Sequence, residues 1–542
     1  MDNRNQKRKV CYILPLAILF SCMQVIGSEI EKTGEFLFQN PWNYIEILIM
    51  SCIFFAVIWF LWILLEKYQV NVKTSENKTI NWKWVWLAIG SCHLIVLLAA
   101  YPGFCCYDFT TQINQVLDQE FTTHHPLLHT LLMGSIITKV GELTNSLNFG
   151  GFVYCFLQMV IVSGCFTFIL KYLYGKGIPK IIVMISACYY ALFPTNAMFS
   201  ICTTKDSLFT IVFVCNLIFM RELLDNREKF LQKKQNSILF IGTAIIAGLL
   251  RNNTIYVYVV GAVILWIATK GYRKYITIVM GIIIGGIILC NQVLLITTDA
   301  TKGKMTEMLS VPAQQIARAV SVKGEDFFTE EELNEVYTVL LKDGIDRYVP
   351  YLSDPVKAEL RVGFNSSLID FVEIWIKIGL KAPLEYLNAT AVNTYQAWYP
   401  NGVIDGYCEA NKPAYEGSQT CYFAAIVEEP LTLDSKIPWL YDIFYSLSRQ
   451  LTFYQIPVIS LLFSIGFWFW CMLFSLVYAI YKKNKANSIM LLFILLLYMT
   501  GLLGPIVVVR YYLVLFWAAP VFIGFLFTKP SREDILDKNI ME

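Results

Sequence analysis

Residues 94–112 read LIVLLAAYPGFCCYDFTTQ. An unbroken apolar run ends in the turn-forming Pro102-Gly103, and a carboxylate, Asp108, follows almost at once. Crossing a bilayer takes about 20 mostly apolar residues in a helix, and the run that ends at Tyr101 meets that need. Similar runs recur as FIGTAIIAGLL at 240–250 and MLLFILLLYMT at 490–500. About a dozen such windows lie along the chain, so the fold class is an all-α polytopic membrane protein.

Composition agrees. The 542 residues are 56% hydrophobic and 15% charged, whereas soluble domains carry about 25% charged residues. A formal net charge of +2 supplies no basic surface for nucleic acid, which is not expected as a partner. The N-terminus pairs a basic stretch, MDNRNQKRKV, with an apolar one, but the acidic SEIEKTGE follows and no small-residue cleavage site intervenes. A retained first span is therefore preferred to a cleaved signal peptide. Most of the 15 cysteines stand singly in apolar runs, where Cys acts as a small hydrophobe.

Spans are expected near 11–28, 43–65, 84–101, 150–172, 181–199, 207–220, 237–250, 254–269, 276–297, 452–480, 488–506 and 509–528. Lys and Arg concentrate in cytoplasmic loops. Segments 1–10, 66–83, 171–180, 221–236, 270–275, 481–487 and 529–542 hold three to five basic residues each, against one each in the short segments between them. Twelve spans with both termini cytoplasmic satisfy that bias. The expected layout is a transmembrane core over 1–297 with a first large outer loop at 102–149, then a mainly helical extracytoplasmic domain over 298–451. Further spans over 452–528 and a cytoplasmic tail, 529–542, complete it. The stretch 129–145 carries Lys139 and Glu142 and is expected to lie on the outer surface as an amphipathic helix. Within the outer domain, Thr329 and Glu332 stand at capping-box spacing. Cys408 and Cys421 are either a disulfide or two free thiols.

Laid on this topology, the outer turns share a property. Asp108 follows the third span, Lys205 and Asp206 form one turn, Arg251 sits in another with Asn252 and Asn253, and Arg510 and Tyr511 precede the last span. Ionisable groups near hydrocarbon are costly and mark functional sites. Gathered at one depth, two carboxylates and several cations suit an anionic ligand and a proton acceptor. Each also has a plainer role. Asp108 can cap the helix that starts FTTQ, Lys205 and Asp206 can pair at the surface, and the arginines can snorkel to headgroups. Of the histidines, His125 and His129 have helical i, i+4 spacing, yet no Glu stands between them as a zinc-protease motif requires. No metal or other cofactor is expected, and His124, His125 and His129, with Gln112, are assigned to phosphate binding or substrate orientation.

The segments YPGFCCYDFTTQINQ, HHPLLHT, TTKDSLF, LLRNNTIY, SVPAQQIAR and RYYLVLF resemble those of a family of bacterial polytopic membrane proteins of unknown function, common in Gram-positive species. The wider arrangement, with an Asp in the first large outer loop and a second acid in the next outer turn, resembles the C-type glycosyltransferases (GT-C). That resemblance implies a GT-C-like fold in the bacterial cell membrane with an extracytoplasmic active site. It also implies transfer of a sugar from a polyprenyl-phosphate donor to a cell-envelope glycan or lipid. Asp108 then matches the base and Asp206 the second acid, while Arg251, Arg510 and Lys205 match the groups that hold the lipid phosphate. Arg318, after Gln314 and Gln315, would close the site from the outer domain. Several GT-C members bind a metal through paired acids, and Asp108 has no adjacent carboxylate, so metal-free chemistry is implied.

Trp398, Tyr399 and Tyr407 are read either as a sugar-stacking platform or as ordinary core and interfacial aromatics. Two other classes compete with an enzyme. Twelve spans also suit a transporter or flippase of an envelope precursor, but no internal repeat relates the halves. A scaffold for polysaccharide assembly with a dead site is the third reading.

Overall fold

Long runs of Leu, Ile, Val and Phe without internal charge have one way to satisfy their backbone in hydrocarbon, which is to close every hydrogen bond within a helix. The computed structural model describes residues 3–68, 80–303, 305–363, 367–402 and 425–527, and these are mostly helical, with isolated bridges and no strands among them. Among the described residues, seven helices are long and apolar enough to cross a membrane: Arg4–Thr33, Pro41–Tyr68, Trp82–Ala99, Leu147–Gly175, Lys205–Asp225, Lys270–Thr297 and Val509–Leu526. Their outward faces keep large apolar side chains in the open. Leu48 is 67% and Leu289 65% exposed, as suits lipid contact.

The remaining expected spans are broken or short, each for a local reason. Lys180–Leu192 and Pro194–Ser200 meet at 57°, because Pro194 cannot donate to the preceding turn; as one bent span they bring the number to eight. Lys234–Leu250 and Thr254–Ala268 are apolar but stop on either side of Arg251 to Asn253. The expected continuous span 452–480 divides into Ile459–Phe463 and Ile465–Tyr481, since Pro457 and a left-handed Val458 (φ 68°) end any helix before it. Lys485–Gly501 falls short of the expected 488–506 at its far end.

The stretch expected to lie on the surface is the helix Leu127–Thr144, which fails the length-and-hydropathy test for a span among the described residues. One side of it is nevertheless buried, through Met133, Gly134, Ile137 and Gly141, against Leu147–Gly175 and the short helix Phe109–Asp118. Gly150 permits that approach, because a Cβ there would stand 2.2 Å from the Ile137 carbonyl oxygen.

The stretch 309–386 builds a second apolar core of its own, from Ala313, Ile316, Val336, Phe371 and Ile378 among others. Its capping box, Thr329 with Glu332, is formed. The chain beyond it behaves differently. Val392, Trp398, Ile426, Leu431 and Phe444 belong to the buried cluster of the helical bundle. Trp470 donates to the Trp398 carbonyl at 2.7 Å and Tyr498 to that of Ala397 at 3.0 Å. This second core is thus joined to the bundle along the helix Pro383–Trp398, and Asn388 binds the backbone of Phe36 at 3.0 and 3.3 Å.

In the membrane-length helices, charge lies toward the ends. Glu66 takes Lys9 at 2.5 Å and Lys482 at 3.0 Å. Lys176 reaches Glu222 at 2.5 Å and Asp225 at 2.7 Å. In the stretch with the second core, Arg318 is 3% exposed and bonds Glu385 at 3.2 Å, Glu35 at 2.6 Å and Tyr348 at 3.4 Å. Removing one partner of a buried ion pair leaves a charge stranded. Glu35 and Tyr348 still hold Arg318 when Glu385 is removed, so Glu385→Ala should cost about 2 kcal/mol, the loss of one charge-assisted bond, read as earlier thermal unfolding of the detergent-solubilised protein. Lys323→Ala, at the exposed rim of the same cluster, should cost less than about 1 kcal/mol.

Candidate functional site

The site starts from backbone. Phe104 and Cys105, both fully buried, bond to different neighbours on opposite sides, as alternate residues of an extended chain do. The Phe104 amide donates to the Ile201 carbonyl at 3.2 Å, and the Thr203 amide returns a bond to the Phe104 carbonyl at 2.9 Å. The Cys105 amide donates to the Ile426 carbonyl at 3.0 Å, and the Glu428 amide to the Cys105 carbonyl at 2.7 Å. Three segments distant in sequence are thus held side by side, with Asp108, Lys205 and Glu428 just beyond them.

Tyr107 then takes a left-handed backbone, φ 67°, which costs energy for a bulky residue and points to a functional reason where it persists. Here the turn lays the Tyr107 ring on Arg510, whose guanidinium carbon stands 4.3 Å from the ring centre. Asp108 occupies the N-cap position of Phe109–Asp118, yet its side chain makes no capping bond. Its Oδ2 instead meets Lys205 Nζ and Arg510 Nη1, the latter at 2.9 Å, with His125 Nδ1 at 3.7 Å. Burial by itself raises the Asp108 carboxyl, but Arg510 and then Lys205 outweigh it and hold the group well below the usual carboxylate range.

A second pair lies beside the first. Asp206, 1% exposed, receives Arg251 Nη1 at 3.1 Å and the Thr204 hydroxyl at 3.1 Å. Tyr511 connects the two, because Arg251 reaches its carbonyl at 3.4 Å and Arg510 its hydroxyl at 3.2 Å. Three cations face two carboxylates, and the buried Nε of Arg510 has no partner. The arrangement keeps both an excess positive charge and an unused donor, which fits an anionic ligand.

The histidines divide. Burial pushes His129 down to about 3, so it is neutral. Gln112 Oε1 lies 2.7 Å from the His129 Nδ1 and the Tyr154 hydroxyl oxygen 3.0 Å from its Nε2. Tyr154 touches Gln158, whose amide nitrogen donates to the carbonyls of Ser200 at 3.1 Å and Cys202 at 2.7 Å. Gln112 and His129 therefore brace the segment that leads to Lys205. His125, also pushed down to about 3 by burial, stands at the charged cluster, 3.5 Å from Lys205 Nζ. His124 is exposed and lies ring-edge against His125.

Arg318 is not brought to this cluster by any described contact; its bonds go to Glu385, Glu35 and Tyr348. Trp398 and Tyr399 are buried in the bundle core. Tyr407 and the Cys408–Cys421 pair lie outside the described residues. Among the described residues no group of three or more His, Cys, Asp or Glu is placed to hold a metal ion.

One residue was invisible to sequence reasoning. Glu428 accepts from the Thr110 hydroxyl at 3.2 Å and the Thr110 amide at 3.5 Å. Burial raises its carboxyl to about 7, with the charge of Asp108 adding to the rise. Its setting, VEEPLT at 427–432, has no hydropathy or spacing signal that separates it from a loop acid.

Among the described residues, a mostly helical structure with seven membrane-length helices and an ion-paired cluster at helix ends defines a polytopic helical membrane protein. Residues 48–540 match the profile of a family of unknown function, DUF6020, and the chain belongs to that family. No curated protein and no solved structure matches it.

The raised Glu428 carboxyl has a consequence for stability. The folded state holds its proton more tightly than the unfolded chain, where a Glu titrates near about 4.3. Its stabilising contribution is therefore complete below that value and lost as pH rises through about 7. Wild type should lose stability relative to Glu428→Gln between these limits, read from melting temperatures across the range. A difference that stays constant with pH would show that Glu428 does not titrate there.

Proposed function

We propose that the chain is a membrane glycosyltransferase of the C type, which moves a sugar from a polyprenyl-phosphate donor to a cell-envelope glycan or lipid outside the cytoplasm. The observation that carries this reading is the meeting of Lys205 and Arg510 on Asp108, with Arg251 and Asp206 adjoining through Tyr511. In the proposed topology the bent pair and the four shorter apolar helices also cross, giving twelve spans with both termini cytoplasmic and the cluster at the outer face.

In this reading the acceptor hydroxyl attacks the anomeric carbon, the bond from that carbon to the phosphate oxygen breaks, and its electron pair leaves on the lipid phosphate. The hydroxyl proton passes to Asp108. While both cations rest on Asp108, that carboxylate is a weak base. A donor phosphate draws Lys205 and Arg510 toward its own oxygens, and Asp108 gains basicity as they turn away. Donor binding thus prepares the base. Asp206, buried beneath Arg251, fixes the direction of that guanidinium.

Arg510→Ala should weaken binding of farnesyl phosphate by roughly tenfold or more, the usual loss for a charge-assisted bond. In cells, a deletion strain and one carrying only Asp108→Asn should lose the same envelope sugar and accumulate the same polyprenyl-phosphate sugar. An altered envelope in the deletion with a normal one in Asp108→Asn would favour transport of an envelope precursor instead. For the topology, cysteine placed at the exposed Leu143 should label from outside the cell, and cysteine at the exposed Lys483 only after permeabilisation.

A further inference from the structure

A helix leaves its first amides without partners, and an acid at the N-cap is the usual remedy. Asp108 stands at that place in front of Phe109–Asp118 and does not perform the task. The need is met from elsewhere. Glu428, about 320 residues away in sequence, brings Oε2 to the Thr110 hydroxyl at 3.2 Å and the Thr110 amide at 3.5 Å, and the Tyr107 amide also bonds it. The contact is anchored by backbone, since the Glu428 amide donates to Cys105 and the Thr110 hydroxyl also reaches the Glu429 carbonyl at 2.8 Å.

We infer that Glu428 is a positioning residue for the candidate site: it caps the Phe109–Asp118 helix in place of Asp108, and so leaves the Asp108 carboxylate to face Lys205 and Arg510. The inference rests on the anion-binding reading of that cluster. Asp108 stands at the N-cap with φ −92° and ψ 10°, outside the extended backbone from which an N-cap side chain reaches the next amides, and Glu428 supplies the acceptor that this turn leaves wanting. It also gives the left-handed Tyr107 a purpose, because the turn that lays its ring on Arg510 is held from the other side by Glu428. The charge of Asp108 acts on Glu428, and Glu428 in turn acts on Cys105; Tyr107 and Glu429 adjoin it. Among the described bonds, Lys205 and Arg510 pair with Asp108 and none joins them to Glu428.

The test uses the full-length protein in detergent, with hydrogen exchange over 109–118 and binding of farnesyl phosphate as readouts. Measurements are made at pH 6, where Glu428 is already largely protonated and removing its charge changes little. Glu428→Ala should speed exchange at the start of the helix and weaken farnesyl phosphate binding roughly fivefold, about the size of one lost cap. Glu428→Gln, which keeps an oxygen acceptor, should match wild type in both. Asp108→Ala should leave exchange at the helix start unchanged. Fast exchange in Asp108→Ala with slow exchange in Glu428→Ala would overturn the inference, as would wild-type affinity in Glu428→Ala. A wild-type protein that binds no farnesyl phosphate would instead overturn the anion-binding reading, while the exchange pattern still reports which residue is the cap. If Glu428→Ala does not fold, Thr110→Val removes the hydroxyl half of the same contact and should shift both readouts in the same direction by less. No shift in either would overturn the inference.

Discussion

The bonds on either side of Phe104 and Cys105 are the constraint on which the site depends. Charged side chains near hydrocarbon are stable only when their partners arrive at the right place together. Side chains as long as Lys and Arg cannot enforce that by themselves, because each loses several rotatable bonds of freedom on pairing. Backbone hydrogen bonds between extended segments do enforce it, since they set position along the chain and not merely proximity. Once the segments at 104–105, 201–203 and 426–428 are in register, Asp108, Lys205 and Glu428 have few places to go.

From that register the charges sort themselves by depth. Asp206 and Arg251 are nearly shut away and act as a fixed pair. Asp108, with its side chain 21% exposed, is the member of the cluster most open to a ligand. Tyr511 links the two pairs through its carbonyl and its hydroxyl. The inner shell therefore holds the outer one still, which is the condition for binding without a large cost in ordering.

Much of this was legible in the sequence, and the limits have physical causes. Apolar runs marked the helices because bilayer thickness imposes a length on them, and lone charges in the turns between apolar runs marked Asp108, Lys205, Arg251 and Arg510 because such charges are expensive. Where a run met Pro457 or Pro194, the expected span broke, since local geometry overrides average hydropathy. Arg318 looked like a site residue because of the resemblance carried by SVPAQQIAR. Its true neighbours, Glu385 and Glu35, are 67 and 283 residues away, and no local pattern reports partners at that range. Glu428 is the same problem reversed, an ordinary loop acid whose meaning comes from where Cys105 places it.

The separation of 402 residues between Asp108 and Arg510 has a consequence for how the protein is made. Of the three, Asp108 leaves the ribosome first, Lys205 next and Arg510 last. Until Arg510 arrives, the carboxylate has only one of its two cations. The cluster therefore closes in chain order, and a chain cut short before residue 509 would leave Asp108 with Lys205 alone.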